Sequence, residues 1–234
     1  MELLTKLSTP FQKLTFKEKE HQYLVEDKPL QGSVSGLIKQ FYETPDFDAI
    51  APYSAAKRGI TTEEIQKEWK DNNLEAITRG SRVHLFGENY PYNRSLIPSC
   101  PQEQAVVKFW SDMPEHIILV GVELRMYHFL KLFGGTADII LFDTKTQTYI
   151  IADYKTNRDL YKNFKGKTMT GPFSHLLDCP LNHYVIQLSY YQLLLEQIGI
   201  KVSRRIVVWL DLEGQYTMIN TDDVTGILRQ TLNN

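Results

Sequence analysis

Residues 135–155 read GTADIILFDTKTQTYIIADYK, and this stretch constrains the fold more than any other. Two apolar runs of strand length, 137–142 and 149–152, flank the polar residues 143–147. Such runs, joined by a short polar turn, bury themselves most simply as a hairpin. Asp138 opens the first run; Asp153 and Lys155 close the second. Side chains two apart on a strand share a face, so Asp153 and Lys155 point the same way. Two carboxylates and an ammonium at the exits of paired strands suit a hard divalent cation and an activated water.

The rest of the chain arranges itself around that hairpin. Residues 1–32 hold short strand-like pieces at 14–16 and 23–25, separated by charged residues. Ser33 or Ser35 is placed to cap a helix running to about Tyr42, which Pro45 ends. Residues 51–78 are helical in tone. Thr61 or Thr62 ahead of Glu63 and Glu64 supplies a cap with acids in the first turn, and Ile65 and Trp69 share a face. A second helix is expected to begin near Arg79-Gly80-Ser81, with Ser81 as its cap. It carries His84 and Glu88 four apart on one face; Glu88 reads first as an acid that solvates its helix, with a supporting place behind the metal ligands as the other option. Pro91, Pro98 and Pro101 mark 91–101 as a loop. Residues 102–113 fit a helix with Ala105, Val106, Phe109 and Trp110 inward, and 117–126 fit a β-branched strand carrying Glu123.

Beyond the hairpin, 156–180 is a long polar interval, and loops of that length are functional or disordered more often than idle. Residues 182–197 form a strong helix with Val185, Leu188, Leu194 and Leu195 toward the core, closed by Gly199. Two more strands, 205–210 and 216–219, surround Glu213-Gly214. Thr221 or Asp222 caps a last helix to Leu232. The order helix, three strands, helix, two strands argues for an α/β fold with a mixed central β-sheet flanked by helices. Residues 1–78 then form a strand and helix elaboration packed on a core of residues 79–234, in one compact domain.

Composition narrows the partners. The formal net charge is -2, from 26 basic and 28 acidic residues in 234, so there is no global polycationic signature. A nucleic-acid partner needs local basic patches, because phosphate neutralisation supplies most of that affinity. The only cysteines, Cys100 and Cys179, make neither a zinc site nor an iron–sulfur cluster by themselves, and they point to a reducing compartment. The sequence shows no signal peptide or membrane span, so a soluble intracellular protein without a membrane partner is expected.

Polar residues at the expected element ends are His84, Glu123, Asp138, Asp153, Lys155, Gln187 and Tyr191. Carboxylates suit Mg²⁺, and an imidazole moves the preference toward Mn²⁺. Gln187 and Tyr191 lie four apart on the strong helix and share a face. Four signatures follow in order: Gly80-Ser81-Arg82-Val83-His84, Gly135-Thr136-Ala137-Asp138, Asp153-Tyr154-Lys155, and Gln187 with Tyr191. Together they resemble the PD-(D/E)xK nuclease superfamily, specifically its RecB-like exonuclease branch, over residues 79–211. Ala137 stands where the superfamily name has proline, a departure common in that branch.

The resemblance implies a restriction-endonuclease-like core and a Mg²⁺- or Mn²⁺-dependent DNA exonuclease that hydrolyses phosphodiester bonds. His84, Asp138, Asp153 and the backbone carbonyl of Tyr154 are the implied metal ligands. Lys155 positions or activates water, and Glu123 supports the metal or helps to hold a second one. Gln187 and Tyr191 organise the site and the DNA end. Arg158, Lys162, Lys165 and Lys167 are expected on the DNA backbone. No iron–sulfur cluster is implied. DNA ends are the implied partner, with a recombination or repair protein beside them, in the cytoplasm of a bacterium or of a phage-infected host. Two other readings stay open here: an endonuclease for particular structures or sequences, and a silent DNA-binding scaffold.

Overall fold

The computed structural model describes residues 2–20 and 22–233. A short helix α1 (Glu2–Ser8) leads into a ribbon of β1 (Leu14–Lys17), β2 (Gln22–Val25) and β3 (Lys28–Pro29). Then come β4 (Gly32–Ser33), α2 (Val34–Ile38), α3 (Phe47–Arg58), α4 (Thr62–Asn89) and α5 (Pro101–Ser111). The expected order follows: strands β5 (Ile117–Tyr127), β6 (Phe133–Asp143) and β7 (Thr148–Lys155), helix α6 (Pro180–Glu196), strands β8 (Val202–Leu210) and β9 (Tyr216–Asn220), and helix α7 (Thr225–Asn233). Among the described residues no helix is long and apolar enough to cross a membrane.

The sheet is mixed. β5, β6 and β7 form an antiparallel meander, β8 runs parallel to β7, and β9 returns antiparallel to β8. The parallel step needs a crossover, and α6 supplies it. Alternation along β7 feeds two apolar layers. Tyr149 and Ile151 pack with Leu188 and Leu194 of α6. Ile150, Ala152 and Tyr154 pack with Val83 of α4 and Phe109 and Trp110 of α5. The sheet is therefore flanked by helices on both faces, as the sequence order suggests.

One edge of β6 is shared by two strands. β7 pairs with it from Asp143 only as far as Ile139↔Ala152. β4 takes the far end in parallel, at Gly32↔Phe133 and Ser33↔Gly134. Residues 135–138 lie between, with no strand on that edge. In the β6–β7 register, Asp138 and Asp153 occupy the first position past the last pair. The two acids thus stand at the fork where the strands part.

Several sequence expectations need correction. α4 is one helix of 28 residues, so Ser81 caps nothing and the expected boundary at 78/79 falls inside it. Its start is the capping box of Thr61 and Glu64. A glycine in a helix interior costs only about 1 kcal/mol, so Gly80 does not stop a helix with continuous backbone bonding. The helical tone of 51–78 divides instead at Gly59, whose φ of 67° ends α3. Ser33, not Ser35, caps α2 by accepting from the Gly36 N–H at 3.1 Å; after Ile38 the chain tightens into a 3-10 turn, Lys39–Phe41. α7 starts later than expected, because Thr221 still bonds Arg205 across the sheet. Asp223 supplies the cap contact, accepting from the N–H and hydroxyl of Thr225. The 156–180 interval is tied down by buried Leu160, Met169 and Phe173 and by a bridge between Thr168 and Leu177.

Gly87 sets how closely α4 approaches the sheet. A Cβ there would lie 2.5 Å from the Tyr154 ring. That ring is fully buried, and its hydroxyl accepts from Trp110 Nε1 at 2.7 Å, so it cannot yield. Gly87→Ala is expected to destabilise the protein by about 1–3 kcal/mol through overpacking. Alanine's own helix preference, worth about 1 kcal/mol, works in the opposite direction. Urea unfolding checks this; an unchanged midpoint would show that α4 lifts freely.

Candidate metal centre at the strand fork

Three elements converge on Asp138. Its Oδ2 lies 3.0 Å from His84 Nδ1 on α4 and accepts the Tyr154 N–H at 2.9 Å. That N–H sits where β7 has left β6, so a carboxylate replaces the missing ladder partner. Glu123 on β5 is bracketed by the pairs Val122↔Ile139 and Leu124↔Ala137, which sets it opposite Asp138. Its φ of 50° is uncommon for a glutamate in a strand. Ligand atoms from His84, Glu123 and Asp138 all lie within 4.8 Å of one another. The three side chains can together hold a metal ion.

Asp153 stands apart from that trio. It is 1 % exposed and forms an ion pair with Lys155 through Oδ2. Among the described residues no other group satisfies that oxygen. The Lys155 ammonium also lies over the Tyr184 ring, 4.3 Å from its centroid. The Tyr184 hydroxyl donates to Asn157 Oδ1 at 2.8 Å, which fixes the ring. Lysine and aspartate share a face as the strand period requires, and an aromatic ring closes over the ammonium.

The electrostatics are those of crowded acids. Burial and the neighbouring carboxylates of Asp138 and Glu88 push Glu123 up to about 7. Burial, with Asp138 beside it, pushes Asp153 up to about 6, against the pull of Lys155. Burial alone would lower His84, yet the Asp138 carboxylate reverses this and holds its imidazole at about 9. Burial likewise opposes charge on Lys155, but Asp153 outweighs it and raises the ammonium. Asp138 feels burial upward and His84 downward; the imidazolium wins and its carboxyl is lowered. Protons here do what a cation would do: they offset negative charge.

Other expected residues divide into those that reach the centre and those that do not. Gln187 donates to the Tyr191 hydroxyl at 2.8 Å. Tyr191 is buried against Gly135, where a Cβ would lie 2.7 Å from its ring. Asp153 and Asp138 both act on its hydroxyl, so the α6 pair borders the fork. Tyr154 borders it through its main chain, while its side chain leaves for Trp110. Glu88 is half-buried and acts on Glu123, so it faces the centre rather than only solvating α4. Lys167 is engaged with Glu43 and Asp178 and braces the loop. Arg158, Lys162 and Lys165 are exposed and form no ion pair among the described residues.

Two contributors were not read from the sequence. Tyr184 was legible in principle, since it sits three residues before Gln187 and seven before Tyr191 on one face of α6. Tyr23 of β2 bonds the Thr136 hydroxyl at 2.8 Å beside the centre, and Glu123 acts on it. No local signal marks Tyr23, because β2 reaches β6 only through tertiary packing. No family model and no curated protein matches the chain.

Proposed function

We propose that this chain is a divalent-metal-dependent deoxyribonuclease of the PD-(D/E)xK superfamily, RecB-like branch, with a restriction-endonuclease-like core, acting as an exonuclease. One observation carries the reading. At a single strand fork, a His84–Glu123–Asp138 trio adjoins a buried Asp153–Lys155 pair. Structural ion pairs seldom crowd three carboxylates around one imidazole and one ammonium without a cation to relieve them.

The donor set fits a hard divalent cation, with oxygen ligands in excess and one nitrogen. His84, Glu123 and Asp138 would hold Mg²⁺ or Mn²⁺, with Asp153 and the Tyr154 carbonyl as further oxygen donors on the β7 side. When bound, such an ion lowers the pKa of water and neutralises charge on a phosphoryl oxygen. Lys155 keeps its proton at the fork, so it serves as a donor that orients water and stabilises negative charge on phosphate. Tyr184 and Asp153 hold that ammonium in place. Gln187 and Tyr191 keep α6 seated against Gly135.

The test is degradation of end-labelled linear DNA, single- and double-stranded, with Mg²⁺, Mn²⁺ or EDTA. Metal-dependent loss of label is expected, and Lys155→Ala should slow it by about 10²–10⁴-fold. A closed circle should stay intact. Cutting of the circle would favour an endonuclease. No cleavage by folded protein that still binds DNA would leave a silent binding scaffold.

A further inference from the structure

The first loop beyond β7 carries a feature that the nuclease chemistry does not use. Tyr161 is 59 % exposed and Phe164 is 72 % exposed, and they alternate with Lys162 and Lys165. Exposed rings on a loop tip usually mean that nothing holds the loop. Here its base is pinned. Leu160 is fully buried, and its carbonyl accepts from the Leu181 N–H at 2.9 Å. Asn163 Nδ2 donates to the carbonyls of Lys167 and Asp178 at 2.7 and 2.8 Å. The Lys167 N–H closes the turn on the Phe164 carbonyl at 3.1 Å. Both rings therefore stand outward from an anchored base.

Charge follows the rings. Lys165 Nζ lies 5.2 Å from the Phe164 centroid. Lys162 and Lys165 have no acidic partner among the described residues. The nearby acid, Asp159, is turned to the backbone and accepts the Tyr161 N–H at 2.8 Å. On the side of α4 the start of the same segment, Thr156–Arg158, lines a cleft of about 490 Å³ whose walls carry Arg79 and Arg158 with one acid, Glu75. Asn157 is locked by Tyr184 and by Trp209, whose Nε1 donates to its carbonyl at 2.7 Å. Arg79 reaches Glu75, yet its buried Nε has no hydrogen-bond partner among the described residues. Six residues of extended chain span at most about 20 Å and nine about 30 Å, so the Tyr161 and Phe164 backbones stand within those distances of Lys155.

A basic track with protruding rings matches one ligand class. Cations follow a phosphate backbone, and bases stack on aromatic faces only where they are unpaired. We infer that the 161–166 loop is a stacking platform for single-stranded DNA, which it delivers along the Arg79–Arg158 cleft to the fork. The inference rests on the nuclease reading and adds its substrate class: the strand to be cut is unpaired next to the scissile phosphodiester.

The experiment is fluorescence anisotropy in EDTA with labelled dT12 and a 12-base-pair blunt duplex. Tyr161→Ala and Phe164→Ala should each weaken dT12 binding by about 5- to 100-fold, the loss of one stacked base. Duplex binding and the salt slope should not change, and Phe164→Trp should retain affinity. Lys162→Gln with Lys165→Gln should instead reduce the salt slope for dT12 by about 1.4. Both rings are exposed, so these variants keep the fold, and unchanged thermal melting checks that. Alanine variants that bind dT12 like the parent, or that lose the duplex equally, would overturn the platform. Metal-dependent cleavage in that case would leave the nuclease reading standing. Ring-dependent dT12 binding without any metal-dependent cleavage would overturn the nuclease reading and leave the platform.

Discussion

Asp138→Asn is expected to abolish metal-dependent DNA cleavage, with a loss of about 10³-fold or more, while the chain stays folded. The carboxylate meets three sides of the fork: the His84 ring, the Tyr154 N–H and the position opposite Glu123. Asparagine keeps its shape and removes its charge. A lost charge at a metal and phosphate site costs far more than a lost neutral hydrogen bond. A second readout needs no activity. His84 sits at about 9 because Asp138 outweighs burial. With asparagine there, burial prevails and the imidazole should titrate well below 9 by NMR in the metal-free protein. The sign for stability follows. The raised imidazole contributes fully below its unfolded value, near 6.5, and that contribution is lost as pH rises through about 9. The parent should therefore lose stability relative to Asp138→Asn across that interval. An imidazole that still titrates near 9 in the variant would remove Asp138 as the cause.

The second large effect is that of the cation itself. Mg²⁺ or Mn²⁺ at about a hundred times its Kd should stabilise the protein by about 2.7 kcal/mol. For a chain of this length that corresponds to a rise in Tm of about 5–10 °C. The rise should shrink as pH falls. Glu123 near 7 and His84 near 9 must each release a proton before they can ligate. Affinity should then fall by between one and two log units per pH unit from pH 7.5 to 5.5. The metal-free protein runs the other way. Glu123 and Asp153 are raised by folding, so their crowding is relieved at low pH and felt as pH rises through about 6 to 7. Calorimetric melting with and without Mn²⁺ at both pH values separates these slopes. A stabilisation independent of pH would mean that the ion binds elsewhere.

What could be read without coordinates was the part set by strand period and local turns. The hairpin, the shared face of Asp153 and Lys155, and the α6 pair of Gln187 and Tyr191 all follow from spacing within one element. Alternation also carries Glu123 on β5, although its place opposite Asp138 needs the register. What escaped was set by approach between elements. Gly87 is an unremarkable helical glycine until Tyr154 stands beneath it. Glu88 reads as either a solvating acid or a support for the site, and only its approach to Glu123 in the folded chain decides between them. Lys167 reads like its neighbours Lys162 and Lys165, yet Glu43, far away in sequence, claims it. The interleaved aromatic residues Tyr161 and Phe164 were visible throughout; their significance depends on exposure, which a sequence does not print.

The divided edge of β6 bears on the order in which the protein assembles. β4 meets β6 across roughly 100 residues of intervening chain, a closure whose entropy must be met before the contact gives anything back. The three ligands of the fork come from α4, β5 and β6. No short segment of the unfolded chain can gather them, unlike a calcium loop whose donors lie within a dozen residues. The cation therefore cannot template the early steps of folding. An ion held by that trio would meet a finished scaffold and lock it, so a newly made chain would have to reach its native topology before the ion could contribute.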